Sequence, residues 1–323
     1  MVDTPLQLPT VGPFEGILFI GDPHVAASPP GYRLDDYSQS ILAKLDFCLQ
    51  TAREHQLLPI ILGDLFHVPR NNPNYLLVAL MDLFRPVIPW VLVGNHDKHE
   101  ARLTPDVSLM VLHAARVIRL LAAAGPVATV VAGGRRVLVG ASPDWTPIPR
   151  TVERGGHDYV IWVTHHDLTF PDYTAGRVHL RPIPGVDLVV NGHLHTPKPP
   201  VQRGETLWCN PGSISRVALS SQTPNKLPVA AIWRPGQTEL ETLPIPHRPF
   251  HEVFPAFVDR ESPSPDDLDE SRFIKGLENL MMRKTSEGLG LQTFLTANLQ
   301  SGDPIDALIW ELYEEVMREE NQE

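Results

Sequence analysis

The sequence predicts an α/β fold with α+β character, in which two mixed β-sheets are flanked by helices and a short helical appendage follows at the C-terminus. Three observations support this prediction. Short apolar runs end repeatedly at polar loops that contain Gly or Pro, helical spacing of apolar residues alternates with the early runs, and hairpin signals follow later in the chain. The length of 323 residues favours two domains, or one large domain with an appendage, at about 150 residues per domain.

The first part of the chain alternates predicted strands with predicted helices. Strands are predicted at residues 17–20, 57–62 and 89–93, and each runs into a loop that contains Gly. A first helix is predicted from apolar residues at Leu34, Ile41, Leu42, Leu45 and Leu49, and a second spans residues 74–84. A third helix is predicted to begin at Thr104-Pro105-Asp106, which supplies a cap, a first-turn Pro and an acidic N-terminus.

The second part of the chain is rich in predicted strands. Residues 127–131 and 135–140 flank Gly133-Gly134, which is the sequence signal of a hairpin. Further strands are predicted at residues 160–164, 186–190, 208–209 and 229–233. Early helices followed by later hairpins are typical of a mixed sheet or of two packed sheets with helices outside them.

A stretch rich in Pro and charge, residues 248–265, predicts a domain boundary. We therefore expect a main domain at residues 1–247 and a C-terminal region at residues 248–323. Apolar residues recur at helical spacing at 273–281 and at 305–316, which predicts two amphipathic helices.

Composition indicates a folded protein of the cytoplasm. The chain is 42% hydrophobic and 20% charged, which excludes wholesale disorder, and no apolar run reaches the roughly 18 residues of a membrane span. The N-terminus lacks the basic and apolar segments of a signal peptide. With only Cys48 and Cys209, neither a disulfide framework nor a four-cysteine zinc site can form.

The net charge of −11 at first argues against a nucleic-acid-binding protein, but the acidic residues are concentrated at one end. Residues 264–323 carry a net charge of −9, which leaves −2 on residues 1–263, and these also hold all 14 histidines. Because bound metal cations supply their own positive charge, total charge does not exclude a site that handles phosphate.

Side chains that bind hard or borderline metal ions follow five of the predicted strands, namely Asp22 and His24, Asp64, Asn95 and His96, His165, and His193 and His195. Alternation along an extended chain puts Asp22 and His24 on the same side, and it does the same for His193 and His195. Both members of each pair can therefore bind one ion. A carboxylate can also bridge two ions. Mixed carboxylate, imidazole and amide ligands suit manganese, iron or zinc, and two ions about 3.5–4 Å apart can stabilise an in-line phosphoryl displacement.

These motifs occur in the order D-x-H, G-D, G-N-H-D, H and G-H-x-H, and the series resembles the calcineurin-like metallophosphoesterase superfamily. The resemblance implies a four-layer sandwich that binds two divalent ions, with manganese favoured and iron, zinc or magnesium as alternatives. By the same resemblance, the first ion would be bound by Asp22, His24, Asp64 and His195, and the second by Asp64, Asn95, His165 and His193. His166 is the alternative to His165, which we prefer because the Val-Thr-His sequence matches the register of the family.

The resemblance also implies the roles of His96 and Asp97. His96 would lie beside the scissile phosphate without binding metal, where it would stabilise the transition state or protonate the leaving oxygen. The nucleophile would be a water or hydroxide between the two ions. Asp97 is predicted to orient His96.

The sequence Gly63-Asp64-Leu65-Phe66-His67 resembles the nuclease branch of the superfamily, the SbcD-type enzymes of DNA repair and recombination, and not the protein phosphatases. His67 would then help to admit or orient a DNA end, and a loop histidine packed on Phe66 is the alternative. The segment 210–216 resembles a second motif of the same branch. We therefore expect a manganese-type exonuclease or endonuclease, and the alternative is a phosphodiesterase or phosphatase for small nucleotides. A non-catalytic scaffold is disfavoured because no ligand and no catalytic residue is missing.

The resemblance implies three partners, and the lack of a long apolar run predicts no membrane span. DNA would be the substrate, and the C-terminal helices would bind an SbcC-like ATPase or, alternatively, fold back on the main domain. Only about 75 residues follow Arg248, so the cap of the family would be reduced. Leucines of the second helix could form a homodimer face or belong to the core, namely Leu76, Leu77, Leu80 and Leu83.

Overall fold

The computed structural model describes residues 8–31, 33–99, 102–217 and 227–254. The predicted helices at 273–281 and 305–316, and with them the expected ATPase-binding region, lie outside these residues.

A six-stranded mixed sheet carries the first three motifs. Its order is β15-β14-β2-β3-β4-β5. Strands β2 to β5 run parallel, β14 runs antiparallel to β2, and β15 runs antiparallel to β14. The strands are β2 (Gly16–Ile20), β3 (Leu57–Ile61), β4 (Trp90–Leu92), β5 (Arg119–Leu121), β14 (Val229–Trp233) and β15 (Glu241–Pro244). The strands predicted at 17–20, 57–62, 89–93 and 229–233 are thereby confirmed.

Three helices cover one face of this sheet: α1 (Tyr37–Glu54), α2 (Asn74–Phe84) and α3 (Ser108–Ala114). The prediction for α2 is confirmed residue for residue. The prediction that Leu34 belongs to the first helix is wrong, because the carboxylate of Asp36 accepts from the N–H of Gln39 and caps α1 two residues later. Leu34 itself is 68% exposed.

The predicted start of the third helix is also wrong. Residues 104–107 form a turn in which the N–H of Val107 donates to the carbonyl of Thr104, and α3 begins at Ser108. The carboxylate of Asp106, which the sequence suggests as an acidic first-turn residue, pairs instead with Arg70 at 2.7 Å.

A seven-stranded mixed sheet carries the last two motifs, in the order β1-β6-β7-β8-β11-β13-β12. Its strands are β1 (Thr10–Phe14), β6 (Gly125–Ala132), β7 (Arg135–Ser142), β8 (Tyr159–Thr164), β11 (Leu188–Asn191), β12 (Lys198–Arg203) and β13 (Thr206–Asn210). The predicted hairpin is confirmed, since Ala132 pairs with Arg135 and both intervening glycines have positive φ. β7, β8, β11 and β13 run parallel.

The core lies in layers set by the alternation of strand side chains. Ile17 and Phe19 of β2 point between the two sheets, where they join residues such as Val139 and Val163, while Leu18 and Ile20 point toward the helices. The expected fold of two mixed sheets flanked by helices is thereby confirmed. Within the described residues, the outer face of the seven-stranded sheet is covered by loops and by the short parallel pair β9 (Leu168–Thr169) and β10 (Val178–His179), not by helices.

The leucines of α2 do not all remain on the surface. Leu76 and Leu80 are fully buried against α1 and the sheet, so that core packing accounts for these two. The outward face of α2 presents Tyr75 and Val78. A homodimer stays a prediction.

Residues just beyond the predicted boundary pack with the preceding chain. The short helix α4 (Phe250–Val253) is followed by the fully buried Phe254, and the carbonyl of Val253 accepts from the N–H of Leu34. In the part of the chain that the structure describes, no helix combines the length and hydrophobicity that a membrane crossing requires.

Candidate metal centre

The predicted ligands meet where the two sheets present the carboxyl ends of their parallel strands. Loops after β2, β3 and β4 carry the first three motifs, and loops after β8 and β11 carry the last two. Parallel strands place such loops at one edge, which is where α/β folds bind ligands.

The backbone is strained at these loops. Eight non-glycine residues in the described chain have positive φ, and four of them are predicted ligands: Asp22, His24, Asp64 and His193. Such conformations are uncommon for residues with a Cβ and concentrate at functional sites.

Asp22, His24, Asp64 and His195 form a first cluster, in which one ligand atom from each residue lies within 4.8 Å of the others. The two Nε2 atoms of His24 and His195 are 2.8 Å apart, and Asp64 Oδ2 lies 3.7 Å from His24 Nε2. This is the set that the resemblance assigns to the first ion.

A second group extends from the same Asp64 carboxylate. His165 Nε2 lies 3.4 Å from Asp64 Oδ2 and 3.1 Å from Asn95 Oδ1, and His193 Nδ1 lies 3.0 Å from Asn95 Oδ1. Asp64 therefore faces both groups, as a bridging ligand would.

The imidazole orientations leave lone pairs for a cation. His165 Nδ1–H donates to the carbonyl of Leu62 at 2.7 Å, so Nε2 is the ring nitrogen that faces Asp64 and Asn95. A backbone partner of this kind fixes the tautomer of metal-binding histidines. Carboxylate, amide and imidazole atoms converge here, and this donor set fits divalent ions.

The electrostatics of the site are dominated by burial and by close charges. Burial and the neighbouring His195 hold the pKa of His24 well below its usual value, and burial lowers the pKa of His193 to about 4, so both rings are neutral at pH 7. For His165, burial lowers the pKa but the Asp64 carboxylate outweighs it and raises the pKa to about 10. Burial raises the pKa of Asp64, and His165 with the other imidazoles reverses this and keeps it ionised. Metal binding to His165 would therefore release a proton.

Glycines in the motifs allow the loops to approach one another. A Cβ at Gly94 would lie 2.1 Å from Asp64 Oδ1, and a Cβ at Gly63 would lie 2.3 Å from His165 Nδ1. Side chains at these positions would displace the Asp64 carboxylate or the His165 imidazole.

His96 lies over the first cluster and is held by the backbone of the neighbouring loop. Its Nδ1–H donates to the carbonyl of His67 at 2.8 Å, its backbone N–H donates to Asp64 Oδ1 at 2.8 Å, and its ring is 4.7 Å from that of His24. Nε2 remains for a ligand. The ring of His67 stacks on that of His96 with 5.6 Å between the ring centroids, so His67 also borders the cluster.

Asp97 occupies a different position from the one expected. Its carboxylate is fully buried and accepts from the N–H groups of Gly94 and Phe66, which joins the loops after β3 and β4. Burial, with the Asp64 charge, raises its pKa to about 6. Within the described residues, the group that orients the His96 ring is the carbonyl of His67, and Asp97 positions the backbone beneath it.

His165, not His166, points into the site. His166 lies outside both groups, and its Nε2–H donates to the carbonyl of Thr146 at 2.7 Å.

The segment 210–216 connects loops from both sheets. The N–H of Ser213 donates to the carbonyl of His195, the N–H of Ile214 donates to that of Gly21, and the Ser215 hydroxyl donates to that of Asp22. These three hydrogen bonds therefore join the segment to the loops that carry Asp22 and His195.

Two supporting residues are not predicted from the sequence. The hydroxyl of Tyr37 in α1 donates to the carbonyl of His24 at 3.0 Å, and Asn191 accepts from both Thr164 Oγ1 and the N–H of His166. Neither belongs to a motif, so no local signal marks them.

Five predicted site residues are partly exposed, namely His67, Asn95, His96, His193 and His195, while Asp22, His24, Asp64, Asp97 and His165 are buried. The site is therefore open on one side, where a phosphoester could reach His96.

Solved structures match this chain at low similarity. One is the 5'-nucleotidase precursor from Thermus thermophilus, with 17% sequence identity and a TM-score of 0.42, and the match covers 82% of this chain and 59% of that chain. A hypothetical protein from Thermus thermophilus matches at 14% identity and a TM-score of 0.40, over 71% of this chain and 99% of that one. The NAD nucleotidase of Haemophilus influenzae matches at 11% identity and a TM-score of 0.39, over 71% of this chain and 50% of its own. The chain thus spans only 59% and 50% of the two nucleotidases, and similarities at this level carry no argument about substrate.

No curated protein matches this sequence. The family model of the calcineurin-like phosphoesterases matches residues 16–197, which is more than half of the chain and includes every predicted metal ligand. This chain therefore belongs to the calcineurin-like phosphoesterase family.

Proposed function

We infer that the protein is a two-metal phosphodiesterase that hydrolyses DNA, similar to the SbcD-type nucleases. The observation that carries the DNA assignment is the position of His67, whose ring stacks on His96 at 5.6 Å and lies 5.5 Å from that of His24. We propose that His67 contacts the group that leaves or enters beside the scissile phosphate. Its sequence context Gly63-Asp64-Leu65-Phe66-His67 resembles that of the nuclease branch.

Divalent ions, when bound, supply the charge that stabilises a phosphoryl transition state and activate water. The ligand sets proposed for them are the first cluster and the group around Asn95. Manganese is the proposed ion, because carboxylate, amide and imidazole oxygens and nitrogens suit it, with iron, zinc and magnesium as alternatives.

His96 is proposed to act at the leaving oxygen. Because Nδ1–H is committed to the His67 carbonyl, Nε2 is the nitrogen that can face the substrate. In the protonated ring Nε2 donates a hydrogen bond or a proton to the departing oxygen, and Asp97 holds the backbone beneath it.

A phosphodiesterase for small nucleotides is the second candidate. The net charge of −11 favours it, because an acidic protein attracts a long polyanion poorly. Both candidates use the same ligands and differ in what lies around the scissile phosphate.

The two candidates are separated by manganese-dependent hydrolysis of end-labelled duplex and hairpin DNA, measured beside a small chromogenic phosphodiester, with His96→Ala as the control. The proposal expects DNA cleavage that His96→Ala abolishes. The folded, metal-loaded protein could instead hydrolyse the small diester and leave DNA uncleaved under the same conditions. That result would favour the nucleotide phosphodiesterase.

His67 offers a sharper test of the DNA assignment. We expect His67→Ala to reduce cleavage of DNA ends by about tenfold or more while it changes turnover of the small diester less than about threefold. His113→Ala is the matched control, because His113 is an exposed histidine at the end of α3. Equal losses on both substrates would remove the DNA-specific role of His67.

An SbcC-like ATPase that binds the C-terminal region is proposed as a partner. The support is the sequence alone: amphipathic spacing at 273–281 and 305–316, and a net charge of −9 on residues 264–323, which repels DNA and suits a protein surface.

A further inference from the structure

Trp145 is a large aromatic side chain that the fold exposes at a turn between β7 and β8. It is 64% exposed, and its backbone has φ +66°. It occupies the third position of a turn in which the N–H of Thr146 donates to the carbonyl of Pro143 at 3.0 Å. Positive φ at this position favours Gly or Asn, so the turn holds a Trp in a disfavoured conformation.

The turn is fixed on both sides to loops that carry predicted metal ligands. The N–H of Asp144 donates to the carbonyl of Val93, two residues before Asn95, and Lys98 pairs with Asp144 at 2.7 Å with both side chains largely buried. On the other side, His166 Nε2–H donates to the carbonyl of Thr146. Trp145 therefore belongs to a turn that is held by hydrogen bonds and an ion pair to the loops after β4 and β8.

A cavity of about 610 Å³ lies beside this turn, and Thr146, Ile148, Arg150, His166 and Arg181 are among the residues that line it. Its volume is within the range of small-molecule sites. Arg150 is exposed, and Arg181 donates to the carbonyls of Ile148 and Pro149, which fixes its guanidinium. Within the described ranges neither arginine forms an ion pair, so the positive charge of both is available to an anion.

We propose that Trp145 and this cavity form a nucleotide subsite, in which a base of the substrate stacks on the indole ring and a neighbouring phosphodiester binds Arg150 and Arg181. An indole face accepts any base, and arginine binds phosphate through several N–H groups. The subsite rests on the proposed function, and it deepens that function by assigning the part of the substrate that flanks the scissile phosphate.

The test uses Trp145→Gly and Trp145→Phe in the full, manganese-loaded chain. Glycine adopts φ +66° freely, so Trp145→Gly removes the ring without adding strain to the turn, and its Tm should be no lower than that of the wild type. The probes are a labelled oligothymidylate with phosphorothioate linkages and the abasic oligomer of the same length. Binding is measured by fluorescence anisotropy.

We expect Trp145→Gly to raise the Kd for the oligothymidylate by about 5- to 100-fold, and Trp145→Phe to raise it by less than about threefold, because Phe still offers a ring face. The Kd for the abasic oligomer should be the same in all three proteins. An unchanged Kd for the oligothymidylate in Trp145→Gly would overturn the proposal, and so would an equal loss for both oligomers. If unchanged binding were accompanied by altered self-association in size-exclusion chromatography, Trp145 would belong to a protein interface instead.

The charged part of the subsite has its own test. Arg150→Gln should raise the Kd for both oligomers by the same factor. It should also lower the slope of log Kd against log salt concentration by about one unit. Arg85→Gln is the charge-matched control, because Arg85 follows α2 and precedes β4, at the strand end opposite to the metal centre. Equal effects of the two variants would remove Arg150 from the subsite.

Failure of the subsite and failure of the proposed function give different results. DNA cleavage whose kcat/KM is unaffected by Trp145→Gly overturns the subsite alone. Base-dependent binding that Trp145→Gly abolishes, in a protein that hydrolyses only small nucleotide esters, supports the subsite and contradicts the DNA nuclease.

Discussion

At the scale of single residues, His96 shows how backbone geometry assigns a chemical role. One ring nitrogen is committed to the carbonyl of His67, the backbone N–H is committed to Asp64, and the remaining nitrogen is left on the open side of the site. The ring itself is not needed to complete either ligand set around Asp64.

Replacement of His96 by Ala should therefore separate catalysis from metal binding. We expect kcat on a phosphodiester to fall by about 10²- to 10⁴-fold, the range for loss of a general acid. Metal content, measured by elemental analysis after dialysis, should match that of the wild type. Loss of metal together with activity would show that His96 is a ligand.

Single residues also mark the limits of prediction from sequence. The seven predicted ligands belong to short motifs of a recognisable order, so they can be proposed before the structure. Trp145, Tyr37 and Asn191 belong to no motif, and their positions result from contacts between loops and elements that are distant along the chain. The role expected for Asp97 fails for the same reason, because neighbours in sequence need not share a contact.

At the scale of elements, the loop after β4 depends on close backbone packing. Gly94 lies so near Asp64 that a Cβ would meet Asp64 Oδ1 at 2.1 Å, and it also donates its N–H to Asp97. The position of the Asp64 carboxylate therefore requires a residue without a Cβ at position 94.

We expect Gly94→Ala to displace the Asp64 carboxylate and to abolish activity and full metal loading. Gly134→Ala is the matched control: Gly134 lies in the β6–β7 hairpin with φ +71° and has no atom within 4 Å of a Cβ position. That variant should lose about 1–2 kcal/mol of stability from strain and keep its activity. Wild-type metal content in Gly94→Ala would contradict the close approach.

The segment before α1 depends on a buried ion pair. Arg33 and Asp35 are joined at 2.6 Å with 2% and 1% of their side chains exposed, and Arg33 also donates to the carbonyl of Arg216. Burial raises the pKa of Asp35, but hydrogen bonds from Arg33 and Ser40 outweigh it and leave the pKa below its usual value.

A carboxylate with a lowered folded-state pKa adds stability above its unfolded pKa of about 3.9 and loses it as the pH falls further. Asp35→Asn leaves Arg33 buried and unpaired, so we expect it to cost about 3–5 kcal/mol at pH 7. Its free energy of unfolding, from urea titrations, should fall less steeply below about pH 4 than that of the wild type. Parallel pH profiles would exclude Asp35 as a source of acid sensitivity. Asp82→Asn, at an exposed pair on α2, is the control and should change stability by less than about 0.5 kcal/mol.

At the scale of the whole molecule, the predicted ligands are shared between two sheets. The loops after β2, β3 and β4 belong to one sheet and the loops after β8 and β11 to the other, and segment 210–216 ties them together. Ligand sets that span two sheets couple metal binding to the packing between them.

The central strands and α2 are predictable because buried parallel strands are continuous apolar runs and surface helices are amphipathic. The edge strands β1, β12 and β15 are not, because they bury few side chains and so carry no apolar pattern, and β12 contains two prolines that an edge tolerates. The loops that replace helices on the outer sheet face have no periodic signal either.

The number of divalent ions per chain tests the central claim most directly, because both ligand sets share one carboxylate. Metal-free protein titrated with manganese in a calorimeter should bind two ions per chain, and Asp64→Asn should lose the binding of at least one and weaken the other. A wild type that binds no ion, or an Asp64→Asn variant that binds two with unchanged affinity, would contradict the bridging role of Asp64 and the two-metal site built on it.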